Sequence, residues 1–268
     1  MVRKALCIML FLALVEPHAA RAYVADAGVV NVRIISDAGD EFASYRTYPR
    51  VREQGKYFFM EAVKGERYSI EVANRCDRRV GVVVAVDGRN IISGAKSDLG
   101  AGERMYIIEP YTTNTFEGWR TGMERTNRFY FTEQSDSYAE KVFSDASAMG
   151  TIAIAVYKEK LPEIMHYQGM SKAPDQATAA PSQHAEAAKR SYETRDKSEQ
   201  AGTGFGETTY SPSRVVRFEP ERTLAERIVL KYEWRTELCK KGVIQCGPKN
   251  RLWPEGQGFA PIPKDFRG

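Results

Sequence analysis

The sequence predicts a mainly β protein: an antiparallel β-sandwich, then a disordered linker, then a C-terminal extension able to add strands to the sheet. Three observations predict it. Short runs of β-branched and aromatic residues recur between residues 29 and 157. Glycine, asparagine, aspartate and proline turns separate them. No intervening segment carries the ten to fifteen or so residues of helical periodicity that a βαβ fold requires.

Residues 29–35, Val-Val-Asn-Val-Arg-Ile-Ile, read as a first strand, and 57–61 as a second. Residues 67–74 alternate polar and apolar, as a half-buried antiparallel strand does. Residues 80–86 are nearly all valine, which predicts a central strand buried on both faces. Asp87-Gly88-Arg89-Asn90 then fits a tight hairpin turn, because Asp-Gly supplies the positive φ angles. Residues 105–108 and 116–120 flank a loop over 109–115, and 128–131 and 151–157 complete a set of roughly eight strands. A helical turn is expected around residues 137–144. Beyond residue 212, the runs 214–218 and 227–232 read as two further strands, returning to the edge of the main sheet.

Residues 1–22 read as a cleavable signal peptide. Arg3 and Lys4 precede an apolar run over 5–15, Pro17 breaks it, and Ala20 and Ala22 give the small-x-small pattern for cleavage after Ala22. The alternative is a membrane anchor, but the run is well short of the ~20 residues that span a bilayer. No later stretch is apolar enough for a membrane span. The expected location is therefore periplasmic or secreted.

Removing the signal leaves 36 basic and 34 acidic side chains. The predicted sandwich, 23–168, carries 19 and 21; the linker, 169–212, carries 5 and 6; the extension, 213–268, carries 12 and 7. The positive charge is thus a property of the tail, suited to an acidic protein surface, anionic lipid or polyanionic wall polymer, or simply to a solvated face. Nucleic acid is not expected, since no reader motif is present. The linker has almost no Leu, Ile or Val and cannot offset its ordering entropy by burial.

Cys76, Cys239 and Cys246 outlast the signal. In an oxidising compartment Cys239 and Cys246 can close a small loop with Gly242 at its turn, worth about 2.5 kcal/mol on a chain-entropy basis. Cys76 is then free; bonding to one of the other two is the alternative. No zinc site is expected without nearby histidine, and no cofactor motif stands out. Gly202-Thr-Gly204-Phe-Gly206 lacks the preceding strand and following helix of a nucleotide loop and reads as a hinge. His166 is the one histidine left outside the signal and linker, which leaves histidine-dependent catalysis little to work with. Acids are abundant, and Asp87, Asp98, Glu103, Glu109 and Glu117 are candidates for a paired-carboxylate hydrolase by position alone.

Recognition is better supported over residues 106–131, where aromatics interleave with arginines. Trp119 and Phe131 are expected in the core. Tyr111, Arg120, Arg125, Arg128 and Tyr130 are the candidate binding residues, with Tyr111, Tyr130 and Arg120 open between core and surface.

The runs 67–74, 82–90, 106–110 and 116–121, with Phe129-Tyr-Phe131, Asp136-Ser-Tyr-Ala139, 150–157, 202–206 and Gly242-Val-Ile244, resemble a family of uncharacterised exported bacterial envelope proteins. Cys239, Cys246 and the Pro-rich end depart from that pattern. The resemblance implies an envelope location and no activity. The expectation is a non-enzymatic binder of a protein or cell-wall component; a carboxylate-dependent hydrolase of glycan or peptide, and a purely structural protein, are the alternatives.

Overall fold

The computed structural model describes residues 28–48, 55–161 and 200–246. The predicted signal peptide, most of the predicted linker and the Pro-rich end lie outside the described residues. Two seven-stranded sheets pack face to face as a β-sandwich. The first holds β1 (Val30–Ser36), β4 (Arg67–Asn74), β8 (Thr113–Phe116), β9 (Gly118–Arg120), β10 (Arg125–Glu133), β12 (Ala201–Thr203) and β13 (Thr208–Tyr210). The second holds β2 (Ser44–Thr47), β3 (Lys56–Ala62), β5 (Val80–Val86), β6 (Arg89–Asn90), β7 (Tyr106–Ile108), β11 (Thr151–Lys158) and β14 (Glu226–Trp234). Two short helices, α1 (Tyr138–Phe143) and α2 (Arg235–Lys240), sit at sheet ends.

Alternation places the core. Val30, Val32 and Ile34 of β1 and Tyr68, Ile70 and Val72 of β4 point inward with polar residues between them. They meet Val82, Val84, Ile152, Ile154, Ile228 and Leu230 of the facing sheet in one cluster. Stacked rings hold the centre, with Tyr68 between Phe131 (4.4 Å) and Phe129 (5.2 Å). Trp119 and Phe131 are buried there as expected.

β5 is buried along its whole length. Its even-numbered valines face the core, while Val83, with Ala155 and Tyr157 of β11, lies under Leu99, Ala101, Met105 and Leu224 on the outer face. A second apolar cover, made of two loops, thus explains the unbroken valine run.

The C-terminal part of the chain corrects four expectations. β14 does not join a sheet edge: it lies inside the second sheet, parallel to β3 and antiparallel to β11. Its parallel ladder with β3 is the one exception to antiparallel pairing among the described strands. The predicted linker ends early, because β12 and β13 both pair with β10. Residues 202–206 are accordingly no hinge. Gly202, Gly204 and Gly206 pass so close to Ser137, Tyr130 and the Arg128 carbonyl that a Cβ would stand under 3 Å from each. The glycines serve close packing, not flexibility. Residues 214–218, read as a strand, pair with nothing among the described residues.

The Asp-Gly turn forms as expected: Asp87 (φ 48°) and Gly88 (φ 76°) join β5 to β6. α1 starts at Ser137, whose hydroxyl accepts the Glu140 N–H. Cys239 and Cys246 form the predicted disulfide, with Cα atoms 5.5 Å apart, closing the chain behind α2. Cys76 remains a free thiol.

Candidate functional site

Each acidic candidate belongs to the architecture in a different way. Asp87 turns its carboxylate into the protein, 1% exposed. Oδ1 accepts the Gly150 N–H (2.8 Å), the Thr151 N–H (3.4 Å) and the Tyr232 hydroxyl (2.6 Å), and Oδ2 accepts the Thr203 N–H (2.7 Å). Because the Tyr232 hydrogen is committed to the carboxylate, the Thr203 hydroxyl must donate to Tyr232 (2.7 Å), and Tyr68 to Thr203 (2.8 Å). The relay Tyr68→Thr203→Tyr232→Asp87 therefore runs one way, from the first sheet to the second, with every hydroxyl hydrogen used. Burial pushes Asp87 up to about 6, against the lowering effect of the Tyr232 hydroxyl and the Thr203, Gly150 and Thr151 amides. Burial also raises Tyr232 and Tyr68 well above the usual phenol range, and the Asp87 charge adds to both. Buried and bonded through both oxygens, this carboxylate serves as an internal tie.

Glu103 accepts the Asp98 and Gly100 amides (2.9 Å each) and Asn90 Nδ2 (3.1 Å). Burial opposes its charge, but these donors, with Ser97, hold its carboxyl below the usual range. Asp98 and Glu109 are exposed, and Glu117 is paired with Arg128 at 3.0 Å. Among the described residues, no three His, Cys, Asp or Glu side chains converge to hold a metal ion.

The predicted binding residues separate into three groups. Arg120 is an internal clamp. Its Nε donates to the Tyr106 hydroxyl (2.7 Å), Nη1 to the carbonyls of Ser211 (2.9 Å) and Gly122 (3.1 Å) and the Ser213 hydroxyl (3.0 Å), and Nη2 to the Ser211 hydroxyl (3.0 Å). These bonds take up the Nε and Nη1 donors and one of the two on Nη2. Arg128 bridges Asp37 and Glu117 and is likewise committed, while Tyr130 lies over Gly204. Tyr111 is 71% exposed on the turn between β7 and β8, and no contact joins it to the other four. Of the three arginines, Arg125 alone is exposed and without an ion pair among the described residues.

Around Arg125 the structure assembles a surface that sequence reading missed. β13 pairs Tyr210 with Arg125, and the chain then follows the β9–β10 hairpin tip through Ser211 N–H to the Glu124 carbonyl and Ser213 N–H to the Met123 carbonyl (2.8 Å each). Met123, Tyr210 and Val215 are left exposed, Val215 by 88%. Arg214 and Arg217 continue the surface, exposed and without ion pairs among the described residues. Arg125, Arg214 and Arg217 are exposed here, with Glu124 and Glu219 the exposed acids next to them in the chain, Glu219 paired with Lys160. The clue in the sequence was Tyr210, a lone aromatic among Thr, Ser and Pro, but nothing local pairs it with Arg125 across 85 residues.

A second exposed apolar feature is a ring column in which Phe205 stacks on Tyr138 (5.2 Å) and Tyr138 leans on Trp119 at a 40° tilt (4.6 Å). Phe143 closes its edge under the Arg89 guanidinium at 4.0 Å. These rings already have partners on their faces. A groove of about 520 Å³ lies elsewhere, beside Val29, Cys76 and Arg227, with the Lys56–Glu226 ion pair (2.8 Å) in its wall. Among the described residues, no helix is long and apolar enough to cross a membrane.

No protein-family model, no curated protein and no solved structure matches the chain.

Proposed function

We propose that the chain is an exported, non-enzymatic β-sandwich protein that binds an acidic protein or cell-envelope component through the hairpin tip and residues 210–217. The observation that carries this reading is the set of Arg125, Arg214 and Arg217, unpaired beside exposed Met123, Tyr210 and Val215. Arginine and tyrosine are the usual energetic anchors of binding surfaces. Beneath them Arg120 fixes the backbone, so a partner meets a surface already ordered. The disulfide supports an oxidising compartment, and the signal-like residues 1–22 and the resemblance to exported envelope proteins support a periplasmic or secreted location. The carboxylates offer the hydrolase alternative little support: Asp87 is sealed, and Glu103 and Glu117 are held by structural partners.

The test compares the protein from Tyr23 onward with the triple variant Arg125→Glu, Arg214→Glu, Arg217→Glu. Both are titrated against membrane and wall fractions of the organism's own envelope. The reading expects saturable, salt-sensitive binding that the variant loses by tenfold or more. Equal retention of the two proteins would end it.

A purely structural role has its own support in β14, which places the C-terminal extension inside the sheet. Loss of envelope integrity on deletion, unchanged in the triple variant, would favour that reading.

A further inference from the structure

Residues 214–218, Arg-Val-Val-Arg-Phe, have strong strand propensity yet pair with no described residue. We propose that this segment receives an extended acidic peptide by β-strand addition, an inference that rests on the binding surface above and specifies its mode of recognition.

Among the described residues the backbone of 214–218 has almost no partners. None of the N–H groups of residues 214–218 makes a hydrogen bond with a described residue, and of their carbonyls only that of Arg217 is taken, by Arg79 Nη2 at 3.4 Å. Main-chain groups in this state are what a strand-forming peptide pairs with. The segment is also fixed at both ends. Ser213 is held by Met123 and Arg120. Phe218 packs so closely on Gly81 that a Cβ there would stand 2.6 Å from its ring, and Lys160 N–H donates to the Glu219 carbonyl (2.8 Å). Most of the ordering cost of forming a strand has thus been met by the fold itself.

Charge selects the occupant. Arg214 and Arg217 bracket Val215 and Val216, so carboxylates at matching positions of a peptide would sit opposite guanidinium groups. A second copy is disfavoured by the same spacing. Antiparallel pairing of two 214–218 segments about Val216 puts Arg214 of each opposite Phe218 of the other and Arg217 opposite Val215, so a second copy brings neither guanidinium a carboxylate.

The experiment uses the protein from Tyr23 onward and, as probe, a displayed library of eight-residue peptides with Asp or Glu at pairs of positions three residues apart, the spacing of Arg214 and Arg217. Selected peptides are resynthesised with backbone N-methyl groups at odd or at even residues. Successive N–H groups of a strand point to opposite edges. The proposal therefore expects one N-methyl pattern to weaken binding at least tenfold and the other to leave it intact. It likewise expects one of Val215→Pro and Val216→Pro, not both, to abolish binding. Neither proline removes a hydrogen bond to a described residue, and thermal melts of the two variants check that they fold. Alternate amides within 214–218 should become protected from exchange when peptide is bound.

Peptides that bind equally with either N-methyl pattern would overturn strand addition and leave the acidic-partner surface standing. So would failure to select any peptide while polyphosphate or anionic phosphatidylglycerol vesicles still bind through the three arginines. Concentration-dependent dimerisation blocked by one proline variant would make a second copy the occupant and overturn the peptide. If no acidic probe binds at all, both the mode and the surface fall together.

Discussion

The Tyr232 hydroxyl donates to the Asp87 carboxylate at 2.6 Å, joining positions 145 residues apart in the chain. Asp87 stands at the β5–β6 turn and Tyr232 within β14, and through Thr203 and Tyr68 the same relay reaches β12 and β4. One carboxylate thus ties the late strands to the early ones. Such a network is strong only while every member is satisfied.

Replacing Tyr232 by Phe removes a hydrogen bond to a buried charge and strands the Thr203 hydroxyl hydrogen. The expected loss is about 2–3 kcal/mol in urea denaturation. Asp87→Asn should cost at least as much, because either amide orientation points an NH₂ group at an N–H donor. A double-mutant cycle should show the two effects to be strongly non-additive.

Acidity acts on this tie in a direction opposite to ordinary acid denaturation. Folded Asp87 holds its proton up to about pH 6, against an ordinary value near 3.8. Its protonation therefore favours the folded state. The stability it contributes is complete below the ordinary value and is lost as pH rises through about 6, by at most about 3 kcal/mol. Urea midpoints of the wild type and Asp87→Asn measured from pH 4 to pH 7 should draw together as pH rises over that window. A constant gap would mean that Asp87 titrates normally.

Arg120 holds residues 211–213 with a planar fork that lysine does not reproduce. Both Arg120→Lys and Arg120→Ala should lower stability by about 2 kcal/mol or more. Limited proteolysis should shift to residues 211–217, while cleavage within β4, β5 and β11 stays unchanged.

Gly118 faces the β10 backbone, where a Cβ would lie 2.0 Å from the Asn127 carbonyl oxygen. Neither backbone can yield without opening the β9–β10 ladder. Gly118→Ala is expected to cost about 3 kcal/mol, while Gly122→Ala, two residues beyond β9 with nothing within 4 Å, should be near neutral. Thermal melts of the two variants give the comparison.

Strand faces were legible in the sequence because burial alternates with period two, and β4 and β5 match their expected limits to the residue. Strand neighbours were not. The pattern 227–232 states which side of β14 is apolar, but a place between β3 and β11 depends on contacts with residues 56–62 and 151–156, which no local periodicity encodes. Glycine misled for a related reason: at 202–206 it permits close approach, and the composition of a loop and of a crowded crossing are alike. Residues 214–218 carry strand propensity and have no strand partner among the described residues, so propensity alone did not secure pairing. Asp87 was recognisable as a turn former, and its second role as a buried acceptor arises only when Gly150, Thr203 and Tyr232 arrive from distant parts of the chain. Of the binding candidates, Arg125 is exposed and lies on the surface proposed for binding, whereas Arg120 and Arg128 are held by structural partners because arginine suits both roles.

Backbone amide exchange on the protein from Tyr23 onward tests the whole arrangement most directly. The account predicts that β14 amides exchange as slowly as those of β5 and β11, and that residues 214–217 exchange at unprotected rates between them. Fast exchange throughout β14 with β5 still protected, or strong protection of 214–217 in the free protein, would contradict it.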